Sequence, residues 1–363
     1  MQKTTSFTIK PHPTPTSAQA RAALLEDPGF GRVFTDHMVT VRWTSELGWH
    51  DGQVSARAPL SLDPAAAVLH YAQEIFEGMK AYRLADGGVG LFRPAENAAR
   101  FARSAERMAM PPAPEALFLE AVEALVQADA DWIPSGEGSL YLRPFMFASE
   151  AFLGVRPANE YLFCIIASPV GAYFKGGAKP VKVWLSEDYS RAASGGTGAA
   201  KCGGNYAASL LAQAEAAANG CDQVIFLDSS EHQWVEELGG MNVFFVLNDG
   251  VLVTPPLGGT ILPGITRDSI IKLAADLGLT VDERPYSISQ WRSDVASGLL
   301  REAFACGTAA VVAAIGELRH RDGSLIIGEG TEGAITSRLR DQLVSIQRGV
   351  ADDPRAWLHR ISL

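Results

Sequence analysis

Lys201 lies in Ser194-Gly-Gly-Thr-Gly-Ala-Ala-Lys-Cys-Gly-Gly-Asn-Tyr206, a run of small residues with no other charge. The chain has only eight lysines, so one set in such a run stands apart from the solvated majority. Nothing nearby in sequence can pair with it, and small neighbours leave it partly desolvated. Desolvation disfavours the ammonium form and leaves an amine able to attack a carbonyl. The glycines allow close approach of backbone to a bound group. The chemistry this predicts is a Schiff base, with pyridoxal phosphate as the carbonyl partner.

A nucleotide-binding loop is the rival. It needs Gly immediately before the lysine and Ser or Thr after it, to cradle phosphates and hold magnesium. Here the neighbours are Ala200 and Cys202, and the fit fails. A pyridoxal phosphate lysine needs a carboxylate for the pyridine nitrogen and donors for the phosphate. Trp234-Val-Glu-Glu-Leu-Gly-Gly-Met-Asn-Val243 offers adjacent Glu236 and Glu237, which should diverge, one inward and one toward solvent. Standing alone, such a pair reads as two surface acids. Leu262-Pro-Gly-Ile-Thr-Arg-Asp268 is a tight turn feeding a helix; its amides and Thr266 suit a phosphate, though Thr266 could simply cap the helix. Cys306-Gly-Thr-Ala309 is a second candidate, with Gly307 baring amides beside the Thr308 hydroxyl.

The elements that must position these residues follow from local pattern. Residues 1 to about 30 predict an extended arm and a short helix. A strand is expected at Met38–Trp43, a helix over Ala65–Met79, and a hairpin over Tyr82–Phe92. Helices at Ala95–Met108 and Pro114–Ala128 and strands at Leu140–Ala148 and Tyr161–Ala167 complete a first half. The second half has a strand at Val181–Leu185, a helix over Asn205–Ala218 and strands at Gln223–Asp228 and Met241–Leu247. The last turns through Asn248-Asp-Gly250 into Val251–Thr254, and Thr266–Leu277 is helical. The expected domains are 1–172, with 1–30 as the arm, a linker at 173–180, and 181–363.

At 363 residues the chain exceeds the usual single core. An apolar fraction of 47% with 20% charged residues marks an ordinary globular protein. A net charge of −10 argues against nucleic acid or an anionic membrane as partner. Cys164, Cys202, Cys221 and Cys306 are widely spaced, so they read as free thiols with no metal site. The N-terminus lacks the apolar stretch of a secretory signal, and the Ala303–Gly316 run is too short to span a bilayer. A cytoplasmic protein is expected.

In order along the chain, these motifs resemble the branched-chain amino acid aminotransferases of pyridoxal phosphate fold type IV. The resemblance runs from about Phe30 to about Arg348. It also includes Phe34-Thr-Asp-His-Met38, His70-Tyr71, Ile75-Phe-Glu-Gly78, Leu91-Phe-Arg93, Tyr141-Leu-Arg-Pro144 and Ser168-Pro-Val-Gly-Ala-Tyr173. It implies an α+β fold, with a smaller N-terminal α/β domain and a larger C-terminal domain built on a pseudo-barrel. It makes Lys201 the Schiff-base lysine and proton shuttle, Tyr206 the donor to the cofactor's phenolic oxygen, and Glu237 rather than Glu236 the partner of the pyridine nitrogen. Arg100, Ile265, Thr266 and Thr308 become phosphate contacts. Tyr71, Phe76, Tyr141, Tyr173, Gly240 and Ala309 line the substrate site, and Arg143 helps accept the distal carboxylate of glutamate.

What the resemblance implies is transamination of L-leucine, L-isoleucine and L-valine with 2-oxoglutarate, by ping-pong kinetics, in a homodimer. The partners are thus small amino acids and 2-oxo acids. D-Amino acid aminotransferases and an aminodeoxychorismate lyase share this fold, so fold alone does not choose among them. Two departures stand out. Ala310 and Ala313 occupy the positions of a redox cysteine pair found in animal relatives, and Gly240 replaces a threonine of some members.

Overall fold

The computed structural model describes residues 7–171 and 179–363. They pack as two compact units: residues up to 171 with 200–203 and 346–363, and residues 179–199 with 204–345. The sequence predicts one unbroken second domain over 181–363. Instead residues 200–203, with Lys201 among them, and the last segment group with the first unit. The expected linker lies outside the described residues except for Lys179 and Pro180.

The first unit begins with β1 (Thr8–Ile9), α1 (Ala18–Glu26), β2 (His37–Thr44), β3 (Gly48–Ala56), α2 (Ala67–Tyr71) and β4 (Glu74–Phe76). β5 (Met79–Arg83), β6 (Val89–Phe92), α3 (Pro94–Arg107), α4 (Glu115–Ala128), β7 (Ser139–Ala148) and β8 (Glu160–Val170) follow. Their sheet runs β1-β3-β2-β8-β7-β5-β6, with β4 also paired to β7. Phe101 of α3 and Phe118 of α4 pack with Phe163 of β8, ring centroids 5.3–6.0 Å apart, in a fully buried cluster. Pro94 starts α3 at a position where its missing N–H costs nothing.

The helix expected over Ala65–Met79 is only one turn long. Ala72 takes a left-handed conformation (φ 49°) and ends it. Glu74–Phe76 then pairs antiparallel with Phe145–Phe147 of β7. The apolar spacing there suits a helix, but cross-strand pairing prevails over local pattern.

The second unit contains β9 (Val181–Ser186), α5 (Gly203–Ala207), α6 (Leu210–Ala218), β10 (Gln223–Leu227), β11 (Val235–Leu238), β12 (Asn242–Leu247) and β13 (Val251–Thr254). It continues through α7 (Ile265–Asp276), β14 (Thr280–Glu283), α8 (Ile288–Ser297), β15 (Leu300–Gly307), β16 (Val311–His320), β17 (Gly323–Ile326) and α9 (Ala334–Gln347). The sheet order is β11-β10-β9-β16-β15-β12-β13-β14, with β17 on β16. Phe245, Tyr286 and Trp291 stack in its core at centroid distances of 4.2 and 4.7 Å. Asn248-Asp-Gly250 makes the expected hairpin, with Gly250 at φ 81°. The single helix expected over Asn205–Ala218 is broken at Ala208–Ser209. There the Ser209 hydroxyl donates to the Asn205 carbonyl at 3.0 Å, a local bond of the kind that competes with helix continuation.

The chain then returns to the first unit, where β18 (Leu358–Ile361) pairs antiparallel with β6. Among the described residues no helix is long and apolar enough to cross a membrane.

Candidate active site

In the first unit Lys201 is held by its backbone. Ala200 and Cys202 on either side are buried in the hydrophobic core. The Lys201 N–H donates to Ser104 Oγ at 3.0 Å, and its carbonyl accepts the Phe76 N–H at 2.9 Å. The side chain turns over Phe76, with Nζ 4.7 Å from the ring centroid. An amine against an aromatic face gains electrostatic attraction from the ring.

The charge opposite Lys201 comes from far away in sequence. Glu77 is fully buried, and its carboxylate takes Arg100 Nε at 2.7 Å, Arg100 Nη2 at 2.8 Å and Asn97 Nδ2 at 2.8 Å. Burial pushes the Glu77 pKa up, but the Arg100 charge and hydrogen bonds, Lys201 and Asn97 together hold it below the ordinary carboxylate value. Asn97, Arg100 and Ser104 lie three and four residues apart on α3 and are all buried, so one polar stripe fixes both Glu77 and the Lys201 backbone. Sequence reasoning placed Arg100 as a phosphate ligand; the structure adds Glu77 as its ion-pair partner. Glu77 stands inside a quoted motif, yet only its burial reveals its part.

Tyr141 and Arg143 share a face of β7, two residues apart. Arg143 Nη2 donates to Tyr141 Oη at 3.1 Å, and its guanidinium lies 4.8 Å from the Phe76 centroid. A Cβ at Gly78 would meet the Tyr141 hydroxyl, so any other residue there must displace that side chain. Phe30, which sequence reasoning gave no part in the site, packs edge-on to Tyr141 at 5.1 Å. Phe76, Tyr141, Arg143 and Lys201 thus converge. Tyr71 does not join them: it is 38% exposed and its hydroxyl donates to the Leu153 carbonyl. Tyr173 lies outside the described residues.

In the second unit Glu237 is 1% exposed. Arg191 Nε approaches its Oε2 at 2.7 Å, and the Leu262 N–H donates to its Oε1. Arg191 also donates to the Gly198 carbonyl at 3.3 Å and the Thr260 carbonyl at 3.4 Å, tying the glycine-rich loop to the carboxylate. A Cβ on Gly198 would strike the Thr260 backbone, so the loop can close only with glycine there. Sequence reasoning missed Arg191; an arginine just before the loop was the available signal. Glu236 diverges from Glu237 as expected but is half-buried rather than solvated, accepting the Thr260 hydroxyl at 2.6 Å. Burial raises its pKa more than that hydrogen bond lowers it.

Tyr206 is half-buried beside Gly240, where a Cβ would stand 3.1 Å from the tyrosine ring. Ile265 opens α7, whose N-terminus is set by Gly264 with no side-chain cap. The alternative role for Thr266, capping this helix, is therefore not taken up. Thr266 is buried one residue inside α7, and Thr308 and Ala309 lie in the turn between β15 and β16.

All four cysteines are free and buried. Burial pushes Cys164 and Cys306 up to about 12 and raises Cys221 as well. A thiolate is the reactive form. Native protein at neutral pH is therefore expected to leave Cys164, Cys221 and Cys306 unmodified by a thiol reagent, with reaction only on denaturation; fast labelling of Cys306 in the folded state would contradict this.

The first unit thus holds an amine on an aromatic face, a group that suits an aldehyde. The second unit holds a buried carboxylate beside an arginine, a phenol beside a glycine, and a helix start with no side-chain cap followed by a buried threonine, groups that suit a basic ring nitrogen, a phenolic oxygen and a phosphate. The sequence model for class IV amino-transferases matches residues 74–318. A probable branched-chain-amino-acid aminotransferase of Streptomyces coelicolor is 57% identical over 99% of both chains. The branched-chain-amino-acid aminotransferase of Mycolicibacterium smegmatis is 54% identical over 98% of both. Among solved structures, the Escherichia coli branched-chain amino acid aminotransferase superposes with a TM-score of 0.76 at 31% identity, covering 90% of this chain and 99% of that one. The Thermobaculum terrenum enzyme, solved in its PLP form, gives 0.72 at 27% identity, covering 89% and 98%. The chain therefore belongs to the branched-chain-amino-acid aminotransferases of the class IV family, with their α+β fold.

Proposed function

We propose that this chain exchanges the amino group of L-leucine, L-isoleucine or L-valine with 2-oxoglutarate, giving branched-chain 2-oxo acids and L-glutamate, with pyridoxal 5′-phosphate held on Lys201. The observation that carries the reading is the setting of Lys201. Its backbone is pinned by Ser104 and Phe76, and its side chain lies over the Phe76 ring. When bound, pyridoxal phosphate supplies an electron sink for the charge left at the substrate's Cα.

The residues divide the remaining work. Lys201 Nζ would hold the cofactor through its aldehyde carbon; it takes the proton from Cα of the amino donor and, in the second half-reaction, delivers one to Cα of the acceptor. Glu77 keeps negative charge near that amine. Glu237, compensated by Arg191, is the carboxylate for the pyridine nitrogen. Tyr206 serves the phenolic oxygen. The phosphate draws on the α7 N-terminus at Ile265 and Thr266, on Thr308, and on the positive charge of Arg100. Phe76 and Tyr141 offer apolar wall to an aliphatic side chain, with Gly240 and Ala309 leaving room for the substrate carboxylate. Arg143, steadied by Tyr141, receives the distal carboxylate of the dicarboxylic substrate.

The exposed position of Tyr71 supports a homodimer. Tyr71, Leu69, Leu153 and Val155 are exposed apolar residues of the first unit, brought together where the Tyr71 hydroxyl meets the Leu153 carbonyl, and a second copy would cover them. Free buried cysteines support a reducing, cytoplasmic setting.

Assays pairing 2-oxoglutarate with L-leucine or D-alanine test the reading. Glutamate should form with L-leucine and not with D-alanine, and borohydride should fix the cofactor covalently to the protein. Turnover of D-alanine, or pyruvate release from aminodeoxychorismate, would replace it with one of the other activities of this fold.

A further inference from the structure

Phe76 carries two cations: its ring centroid is 4.7 Å from Lys201 Nζ and 4.8 Å from the Arg143 guanidinium. Glu74 stands two residues before Phe76 on β4, so the period of the strand puts both side chains on one face. Its Oε1 accepts the N–H of Gly203, two residues beyond Lys201, and a Cβ at Gly203 would collide with that oxygen. Glu74 is therefore tied to the Lys201 segment, and β4 and β7 set it on the Phe76 side of the pair, facing Phe147, with Arg143 against the Phe76 ring. Burial raises its pKa, partly opposed by the Gly203 amide and the Arg143 charge.

Arg143 has no carboxylate within ion-pair distance among the described residues, and its Nε is buried without a hydrogen-bond partner. An aliphatic substrate side chain does nothing to compensate this guanidinium, whereas a distal carboxylate pairs with it directly. The two half-reactions thus place opposite demands on one arginine. We infer that Glu74 is a positioning residue that balances them: its carboxylate offsets Arg143 while an aliphatic side chain fills the pocket, and tempers the hold of Arg143 on a distal carboxylate. The inference rests on Arg143 as the distal-carboxylate residue, the role proposed above.

Glu74→Gln removes the charge but keeps an oxygen for the Gly203 N–H, and Glu74→Ala removes both. With the holoenzyme, Glu74→Gln should lower KM for 2-oxoglutarate by about fivefold and raise KM for L-leucine, with kcat changing about twofold or less. Glu74→Ala should also lower kcat for both substrates, a loss that Gln largely restores. Arg143→Gln should raise KM for 2-oxoglutarate far more than for L-leucine. Equal losses with both substrates in Arg143→Gln would overturn the assignment of Arg143 and the inference with it. A normal split in Arg143→Gln beside an unmoved KM ratio in Glu74→Gln would overturn the inference alone. If Glu74→Gln matches Glu74→Ala, Glu74 only supports the loop, and the inference is likewise overturned.

Discussion

Replacing Lys201 with alanine is expected to abolish transamination of L-leucine, lowering kcat by roughly 10⁴-fold or more, the scale on which losing an essential nucleophile and base acts. The purified variant should also lose the visible absorbance of the holoenzyme. Both effects come from one atom, because Nζ is proposed to anchor the cofactor and to move the proton at Cα. Folding should survive, since the segment is held by the buried Ala200 and Cys202 and by backbone bonds to Ser104 and Phe76. Turnover and visible spectrum are the measurements. A variant that kept both would remove Lys201 from the mechanism.

Glu77→Met carries the largest expected loss of stability. It leaves the Arg100 guanidinium, 5% exposed, without its carboxylate. Removing one partner of a buried pair costs about 3–5 kcal/mol, because the survivor stays desolvated. For a unit of this size that is a fall in Tm of roughly 10 °C. Glu77→Met combined with Arg100→Met should recover most of the loss, since an apolar pair can replace a buried ion pair at little cost. Activity should not return, because the double variant also lacks Arg100, the proposed phosphate contact. The pH dependence has a definite sign. A carboxyl held below its ordinary value of 4.5 stabilises the fold fully above that value, and loses its contribution as pH falls through the lower native value. The gap between wild type and Glu77→Met should therefore narrow on acidification. Thermal unfolding across that range is the check, and a gap constant with pH would contradict the account.

The legibility of this chain in sequence follows the range of the interactions involved. The Asn248-Asp-Gly250 turn, the helix over Ala95–Met108 and the strand at Leu140–Ala148 are local signals, and each appears close to where it is expected. The Lys201 loop and Glu237 stand out in the sequence because unusual composition or collinear motifs mark them. Arg191 and Glu77 were not assigned, since an arginine or glutamate in isolation is a surface charge by default. Their meaning arises only when Arg191 meets Glu237 and Glu77 meets Arg100 across long sequence separations. The same limit explains α2 and β4: nothing within Ala65–Met79 announces that Glu74–Phe76 will find Phe145–Phe147. The Ala303–Gly316 run, read only as too short for a membrane, is most of the β15–β16 hairpin.

The return of the chain to pair β18 with β6 bears on how the protein is made. Without β18, Val89–Phe92 would have β5 on one flank and, among the described residues, no strand on the other. An apolar strand with an open edge is a template for other chains, and here it stays open until translation has passed the whole second unit. β18 therefore works as a late closure. Loss of Leu358–Ile361 would leave the Lys201 segment intact while reopening an edge in the sheet that supports it, turning a catalytic protein into an aggregation-prone one.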